Sequence, residues 1–227
     1  MKIGAFQKFS LIDYPGKTCA IIFTIGCNFR CPFCHNRELV IPEEFPEETP
    51  FDTIENFLKN RIGLIDAVEF TGGEPLIYKD IIEFVKRIKD MGFLVKLDTN
   101  GSIPSRLTEI LPFVDYIAMD IKAPFERYTE AIGVNFDISL IKESIAIIKN
   151  SNKDYEFRTT VFRNFFKDLD DFVEIGLAIN RAKAYYIQKP HFEKVLNPNY
   201  KFEIFSEEEL SKIKEIMRQY ADIVEIR

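Results

Sequence analysis

The chain has no tryptophan, four cysteines, two histidines and no long apolar run among its 227 residues. No stretch approaches the roughly 20 apolar residues of a membrane helix, the longest candidate being Cys19 to Cys27. Gln7, Lys8 and Asp13 interrupt the region where a signal peptide would need an unbroken apolar segment. The expectation is therefore a cytoplasmic protein without a membrane partner, where thiols stay reduced and clustered cysteines read as metal-binding. No block of basic residues is present and the net charge is −6, which argues against a dedicated nucleic-acid surface. No linker and no repeat with a period of 20 to 50 residues breaks the chain, so residues 1–227 read as a single domain with a sizeable core. With tryptophan absent, 22 phenylalanines must supply much of that core.

What is present is an alternation of β-rich apolar runs with helix-like segments. Strands are expected over Thr18 to Ile25, Ala67 to Phe70, Leu94 to Asp98, Tyr116 to Asp120, Tyr155 to Phe162 and Ala184 to Ile187, with Ile223 to Arg227 as an extra one. Helices are expected over Phe51 to Lys59, Asp80 to Met91, Ser105 to Leu111, Ile138 to Lys149, Leu169 to Ala178 and Glu207 to Tyr220. In the second of these, Ile81, Ile82, Phe84, Val85, Ile88 and Met91 recur at helical spacing and Gly92 is a natural stop. In the last, Ser206 and Glu209 form a capping-box pattern. Ile41 to Pro50, rich in Glu and Pro, reads as an exposed acidic connector. Repeated strand–helix units imply an α/β fold with a parallel sheet, either a doubly wound sheet or a partial barrel of about six units. Both put the active groups at the carboxyl ends of the strands.

Three of the four cysteines lie in one stretch, Gly26-Cys27-Asn28-Phe29-Arg30-Cys31-Pro32-Phe33-Cys34-His35, directly after the first of these strands. A structural zinc site wants four ligands, usually as two separated pairs, and no second C-x-x-C or H-x-x-x-H follows. His35 adjoins Cys34 and would strain a chelate. Electron-transfer clusters normally use four cysteines, whereas the fourth one here, Cys19, lies in the strand and points to the core. Zinc, a disulfide with a spare thiol, and a closed cluster all stay open. The spacing favours an iron–sulfur cluster with one open coordination site.

Other polar motifs also fall at strand ends. Thr71-Gly72-Gly73-Glu74-Pro75 has glycines that let backbone approach a ligand and a carboxylate suited to an ammonium. Asp98-Thr99-Asn100-Gly101 presents several oxygens, and in Asp120-Ile121-Lys122 alternation puts the two charges on one face, where they can simply pair. Arg158 lies inside an apolar strand and needs an anion, either an internal carboxylate or that of a ligand. Gln188-Lys189-Pro190-His191 follows the sixth strand. Together these groups would suit a zwitterionic, hydroxyl-bearing cofactor held against an open iron.

With these residues in view, the chain resembles the radical S-adenosylmethionine (SAM) enzymes. The C-x-x-x-C-x-x-C signature at Cys27, Cys31 and Cys34, with Phe33 before the last cysteine, and Gly72-Gly73-Glu74 carry the likeness. Cys34-His35-Asn36, Asp98-Thr99-Asn100-Gly101 and Asp120-Ile121-Lys122 resemble the glycyl-radical-enzyme activases. Phe9-Ser10-Leu11-Ile12-Asp13-Tyr14-Pro15-Gly16-Lys17 resembles the branch that activates anaerobic ribonucleoside-triphosphate reductase. The resemblance implies a partial (β/α)6 barrel and a [4Fe-4S] cluster on Cys27, Cys31 and Cys34. Reductive cleavage of SAM to methionine and a 5′-deoxyadenosyl radical would follow, with ferredoxin or flavodoxin as donor and a glycine of a partner enzyme as the hydrogen source. It implies SAM contacts from Phe33, Cys34 and His35 to adenine and from Gly72, Gly73 and Glu74 to the methionyl ammonium. Asp98, Thr99, Asn100, Asp120, Ile121, Lys122 and Arg158 would serve the carboxylate side, where Asp98 and Asp120 match residues flanking a monovalent cation in the pyruvate formate-lyase activase. Gln188 and His191 would approach the ribose or adenine. The TGGEP form also resembles the 7-carboxy-7-deazaguanine synthases, which implies a small-molecule substrate instead. A non-catalytic iron–sulfur or zinc protein would have no need of the strand-end groups.

Overall fold

The computed structural model describes residues 1–191 and 194–227. The chain divides into two compact units. One comprises Met1–Asn28, Asn36–Thr99 and Ser105–Ile117, the other Phe29–His35, Asn100–Pro104 and Ala118–Arg227.

In the first unit β1 (Ile3–Tyr14) and β2 (Lys17–Thr24) form an antiparallel hairpin, turned at Gly16 with its φ of +69°. Two short helices follow, α1 (Arg37–Val40) and α2 (Phe51–Lys59), and then β3 (Ala67–Gly72), which pairs parallel to β2. The next helix, α3 (Ile81–Asp90), buries Ile81, Val85 and Ile88, the apolar positions spaced one helical turn apart, and leads to β4 (Leu94–Thr99), parallel to β3. β2 and β3 are buried through consecutive residues, Cys19 to Ile22 and Ala67 to Phe70, as expected for parallel strands covered on both faces. After α4 (Pro104–Ile110) comes β5 (Tyr116–Asp120), whose first residues belong to this unit and whose last belong to the second.

The second unit continues from β5 through α5 (Tyr128–Ile132), α6 (Ser139–Asn150), β6 (Asp154–Thr160), α7 (Asp170–Ile179), β7 (Ala182–Gln188), α8 (Glu207–Met217) and β8 (Ala221–Ile226). β6, β7 and β8 are parallel neighbours in chain order. Its core is rich in phenylalanine: Phe157, Phe162, Phe165, Phe166 and Phe172 are all fully buried. That is where much of the abundant phenylalanine is spent.

All six expected strands and the extra one at the C-terminus form, as do the six expected helices, with ends displaced by no more than three residues. The capping box of α8 is complete, with Ser206 and Glu209 bonding each other's backbone N–H. The sequence reading missed β1, α5 and α1. β1 has no clean alternation because its pairing with β2 shifts register between Gln7 and Ser10 and again before Tyr14, leaving Phe9, Leu11 and Ile12 exposed. α1 and α5 span four and five residues, too short for a 3.6-residue period to register. Among the described residues no helix is long and apolar enough to cross a membrane.

Candidate functional site

In the first unit the segment leading to Cys27 is stitched to the loop after β3. Gly26 takes φ +88° and its carbonyl accepts the Glu74 N–H at 2.9 Å, while the Gly73 N–H donates to the Thr24 carbonyl at 2.9 Å. A Cβ on Gly73 would fall 1.9 Å from the Gly26 oxygen, and one on Gly72, at φ +104°, would fall 2.6 Å from the Thr24 nitrogen. Both glycines are therefore required by backbone that passes against backbone. Asn36 Nδ2 donates to the Gly72 carbonyl at 2.8 Å and Tyr78 Oη to that of Ile25 at 2.5 Å, fixing the same two loops from the side.

Glu74 is fully buried. Its Oε1 accepts from the Leu76 N–H at 3.0 Å and from Thr99 Oγ1 at 2.8 Å, so the carboxylate ties the end of β3 to the end of β4. Next to it lies a charged trio that the sequence reading did not identify. Lys96 Nζ stands 2.7 Å from Glu69 Oε1 and 2.8 Å from Asp98 Oδ1, with all three residues buried. Glu69 and Lys96 are direct partners in the β3–β4 register, and Lys96 and Asp98 share a face by strand alternation. Burial, followed by the negative charge of Asp98, raises the Glu69 pKa well above the ordinary carboxylate range. Cys19 lies at the other end of β2, fully buried beside Tyr14, Ala67 and Tyr116, and burial pushes its thiol pKa up. It lies five residues before Thr24 on the strand, about 17 Å at 3.3 Å per residue, with Cys27 further on.

In the second unit, Cys31 and Cys34 sit on one tight turn closed by the Cys34 N–H to Cys31 carbonyl bond at 3.0 Å. The turn is held from outside. Leu196 and Asn197 donate their N–H groups to the carbonyls of Cys34 and Pro32, both at 2.9 Å. Arg30 N–H donates to the Ile132 carbonyl at 2.7 Å, with Gly133 at φ +67° packed against the Arg30 backbone. Buried Phe33 packs with ring centroids 4.9 Å from Phe162 and 5.6 Å from Phe165. The aromatic before the last cysteine thus anchors the turn in the core.

The remaining residues of this unit form a charge network. Asp120 Oδ2 accepts from Lys122 Nζ at 2.8 Å and Oδ1 from Arg158 Nε at 2.9 Å. The anion required by Arg158 is therefore Asp120, with Glu156 3.8 Å from its Nη1. Burial opposes the charge on Lys122, but Asp120 and the sulfurs of Cys31 and Cys34 outweigh it and raise its pKa. Ile121 is buried, and its N–H donates to the Arg158 carbonyl at 2.8 Å. The Lys122 N–H donates to Tyr128 Oη at 3.2 Å, a contact with no signal in the sequence. The rings of His35 and His191 are 6.0 Å apart, and burial, then His191 and Lys122, lower the His35 pKa. Gln188 Oε1 accepts from Thr160 Oγ1 at 3.4 Å. Asn100 Oδ1 caps its own turn through the Ser102 N–H at 2.9 Å, and Ser144 Oγ donates to the Gly101 carbonyl at 2.7 Å.

All four cysteines are free thiols. Among the described residues no three His, Cys, Asp or Glu side chains converge on the volume of a single metal ion. A cluster makes a different demand, since each thiolate binds its own iron. The donor set fits such a cluster: thiols on a rigid turn, with the raised Lys122 ammonium near two of the sulfurs to favour thiolate.

Strands in chain order, thiols in the loop after β2 and paired glycines at the end of β3 fit an α/β enzyme that carries an iron–sulfur cluster. Residues 21–176 match the Radical SAM superfamily, and the chain belongs to that superfamily. It is 35% identical, over 99% of its length and 95% of the relative's, to MJ1227 of Methanocaldococcus jannaschii, a protein bearing the name of a glycyl-radical enzyme activating enzyme. A 7-carboxy-7-deazaguanine synthase of the same organism is 28% identical over 73% of this chain and 76% of that one. A radical SAM methyltransferase from Sphaerobacter thermophilus shares the fold, with a TM-score of 0.72 over 96% of this chain and 68% of that one at 15% identity. The α/β fold expected from the sequence is the fold of this superfamily, whose members use a [4Fe-4S] cluster and SAM.

Proposed function

We propose that this protein is the activase of a glycyl-radical enzyme, with anaerobic ribonucleoside-triphosphate reductase as the partner and ferredoxin or flavodoxin as the donor. Residues 1–227 would act as one cytoplasmic radical SAM domain. The observation that carries this reading is the near full-length likeness to MJ1227 at 35% identity. When bound, the cluster and SAM supply, on one-electron reduction, methionine and a 5′-deoxyadenosyl radical able to take the α-hydrogen of a glycine.

The tasks of the chain are to bind, orient and exclude water. Cys27, Cys31 and Cys34 would hold three irons, with Lys122 offsetting thiolate charge. The rigid backbone of Gly72, Gly73 and Glu74 would receive the methionyl ammonium, and the Phe33 to His35 backbone the adenine. Asp98, Thr99, Asn100, Asp120, Ile121, Lys122 and Arg158 would line the carboxylate side, with Gln188 and His191 toward the ribose. The likeness to a 7-carboxy-7-deazaguanine synthase over 73% of the chain supports a second reading, a small heterocyclic substrate.

One experiment separates them. The reconstituted protein is incubated anaerobically with SAM, reductant and the candidate reductase, and electron paramagnetic resonance is recorded. A glycyl-radical doublet is expected. SAM cleavage without a doublet, together with turnover of a heterocycle, selects the second reading.

A further inference from the structure

The resemblance implies a monovalent cation flanked by Asp98 and Asp120, and the residues present do not fit one. In the first unit Lys96 Nζ lies 2.8 Å from Asp98 Oδ1 and 2.7 Å from Glu69 Oε1, and Thr71 Oγ1 is 3.4 Å from the other Asp98 oxygen. Lys96 is 2% exposed and Asp98 8%, so the ammonium is committed to this contact and is not a mobile surface charge. In the second unit both oxygens of Asp120 are engaged, one by Arg158 Nε at 2.9 Å and one by Lys122 Nζ at 2.8 Å. Hard cations seek oxygen ligands with uncompensated negative charge. A carboxylate whose charge is already matched by an ammonium or guanidinium at hydrogen-bond distance offers them little, and with Glu69 keeping its proton the one charge of Lys96 is matched to Asp98.

We propose that this chain supplies its own cations in place of a monovalent metal ion. Lys96 stands where the ion would serve Asp98, and Lys122 with Arg158 serve Asp120. Lys96 is then a positioning residue: held by Glu69 from the neighbouring strand, it fixes Asp98 and neutralises it without contacting the reacting atoms. The inference deepens the SAM-dependent reading and rests on it for the affinity measurement alone.

The test uses anaerobically reconstituted holoenzyme in buffer whose only small cation is tetramethylammonium. SAM affinity is measured by calorimetry with and without sodium or potassium, and sodium-23 linewidths are recorded without SAM. The parent protein is expected to bind SAM within about twofold under all conditions and to give no saturable sodium broadening. Lys96→Met is expected to bind SAM about tenfold or more weakly in tetramethylammonium and to recover with sodium or potassium. Should that variant fail to fold, Lys96→Met/Glu69→Gln removes the ammonium together with the carboxyl group that holds it and keeps Asp98. It carries the same expectation, with saturable sodium broadening as its second readout. A parent affinity that improves about tenfold with sodium or potassium, saturable broadening in the parent, or a folded double variant indifferent to both ions overturns the proposal. If the holoenzyme binds no SAM, the functional reading fails, while the linewidths still decide the cation question.

Discussion

Gly73→Ala tests whether contact between the loop after β3 and the segment before Cys27 holds the first unit's part of the site. The added Cβ would lie 1.9 Å from the Gly26 carbonyl oxygen and 2.6 Å from its carbon, both backbone atoms with no flexible end to swing away. Restoring a carbon–oxygen separation of about 3.4 Å requires a displacement of about 1.5 Å. Overpacking of this kind costs about 1–3 kcal/mol. The shift also breaks the 2.9 Å bond from Glu74 N–H to the Gly26 carbonyl, at about 1 kcal/mol. Losing a glycine from the unfolded chain returns about 0.5 kcal/mol. The expected destabilisation is thus about 1.5–3.5 kcal/mol, seen as a urea midpoint lowered by about 1 M for a slope of about 2–3 kcal/mol/M. In the reconstituted enzyme a displacement of this size should reduce SAM cleavage about a hundredfold. A variant within about 0.5 kcal/mol of the parent, cleaving SAM at the parental rate, would refute the reasoning, because the loops would then have slack that the geometry denies.

Cys31→Ala should abolish the iron–sulfur absorbance of reconstituted protein, whereas Cys19→Ala should retain it and lose only about 1 kcal/mol of stability from its small buried volume; cluster loss in the Cys19 variant would contradict the three-ligand assignment. Asp120→Asn leaves Lys122 and Arg158 facing a neutral amide, so chemical denaturation should report a loss of about 2–4 kcal/mol, and a loss below about 0.5 would mean that solvent screens the trio. Phe33→Ala should cost about 3 kcal/mol, since the ring is buried against Phe162 and Phe165, and an unchanged unfolding midpoint would count against its anchoring role. Because burial and Asp98 raise the Glu69 pKa, the folded state keeps a proton that the unfolded chain releases above about pH 4.3; the group's contribution is full below that pH and declines as pH rises toward the folded pKa. The unfolding free energy of Glu69→Gln minus that of the parent should therefore increase from pH 5 to pH 8, and a flat or falling difference would be incompatible with a protonated Glu69.

What the sequence made legible followed from local period and local spacing. Apolar β-rich runs and helical stripes located the six expected helices and all strands but β1, and the cysteine spacing located the turn at Cys31 to Cys34. It also required an anion for Arg158, which the fold supplies as Asp120. Partners set by register were not legible. Glu69 reads alone as a charge inside the apolar run Ala67 to Phe70, and Lys96 as another inside Leu94 to Asp98. Only the β3–β4 register makes them a pair. A usable signal was nonetheless present. Lys96 lies two residues before Asp98 on β4, a spacing that puts both groups on one face of a strand, and Lys122 lies two residues after Asp120, just past the end of β5.

The two occurrences support a common physical reading. A carboxylate at the carboxyl end of a covered strand loses much of its hydration, nearly all at Asp98 and a large part at Asp120, and leaving it uncompensated is costly. The nearest local remedy is a cation at i ± 2: on β4 the strand's own alternation delivers Lys96 to Asp98, and just past the end of β5 Lys122 reaches back to Asp120. A second partner then comes from the adjacent strand: Glu69 from β3 beside Lys96, and Arg158 from β6 beside Asp120. In both places the charge is fixed by covalent position and register, so it is present before any ligand arrives and needs no ion drawn from solution. The same arrangement that lets buried carboxylates survive folding therefore determines which cations they can still accept.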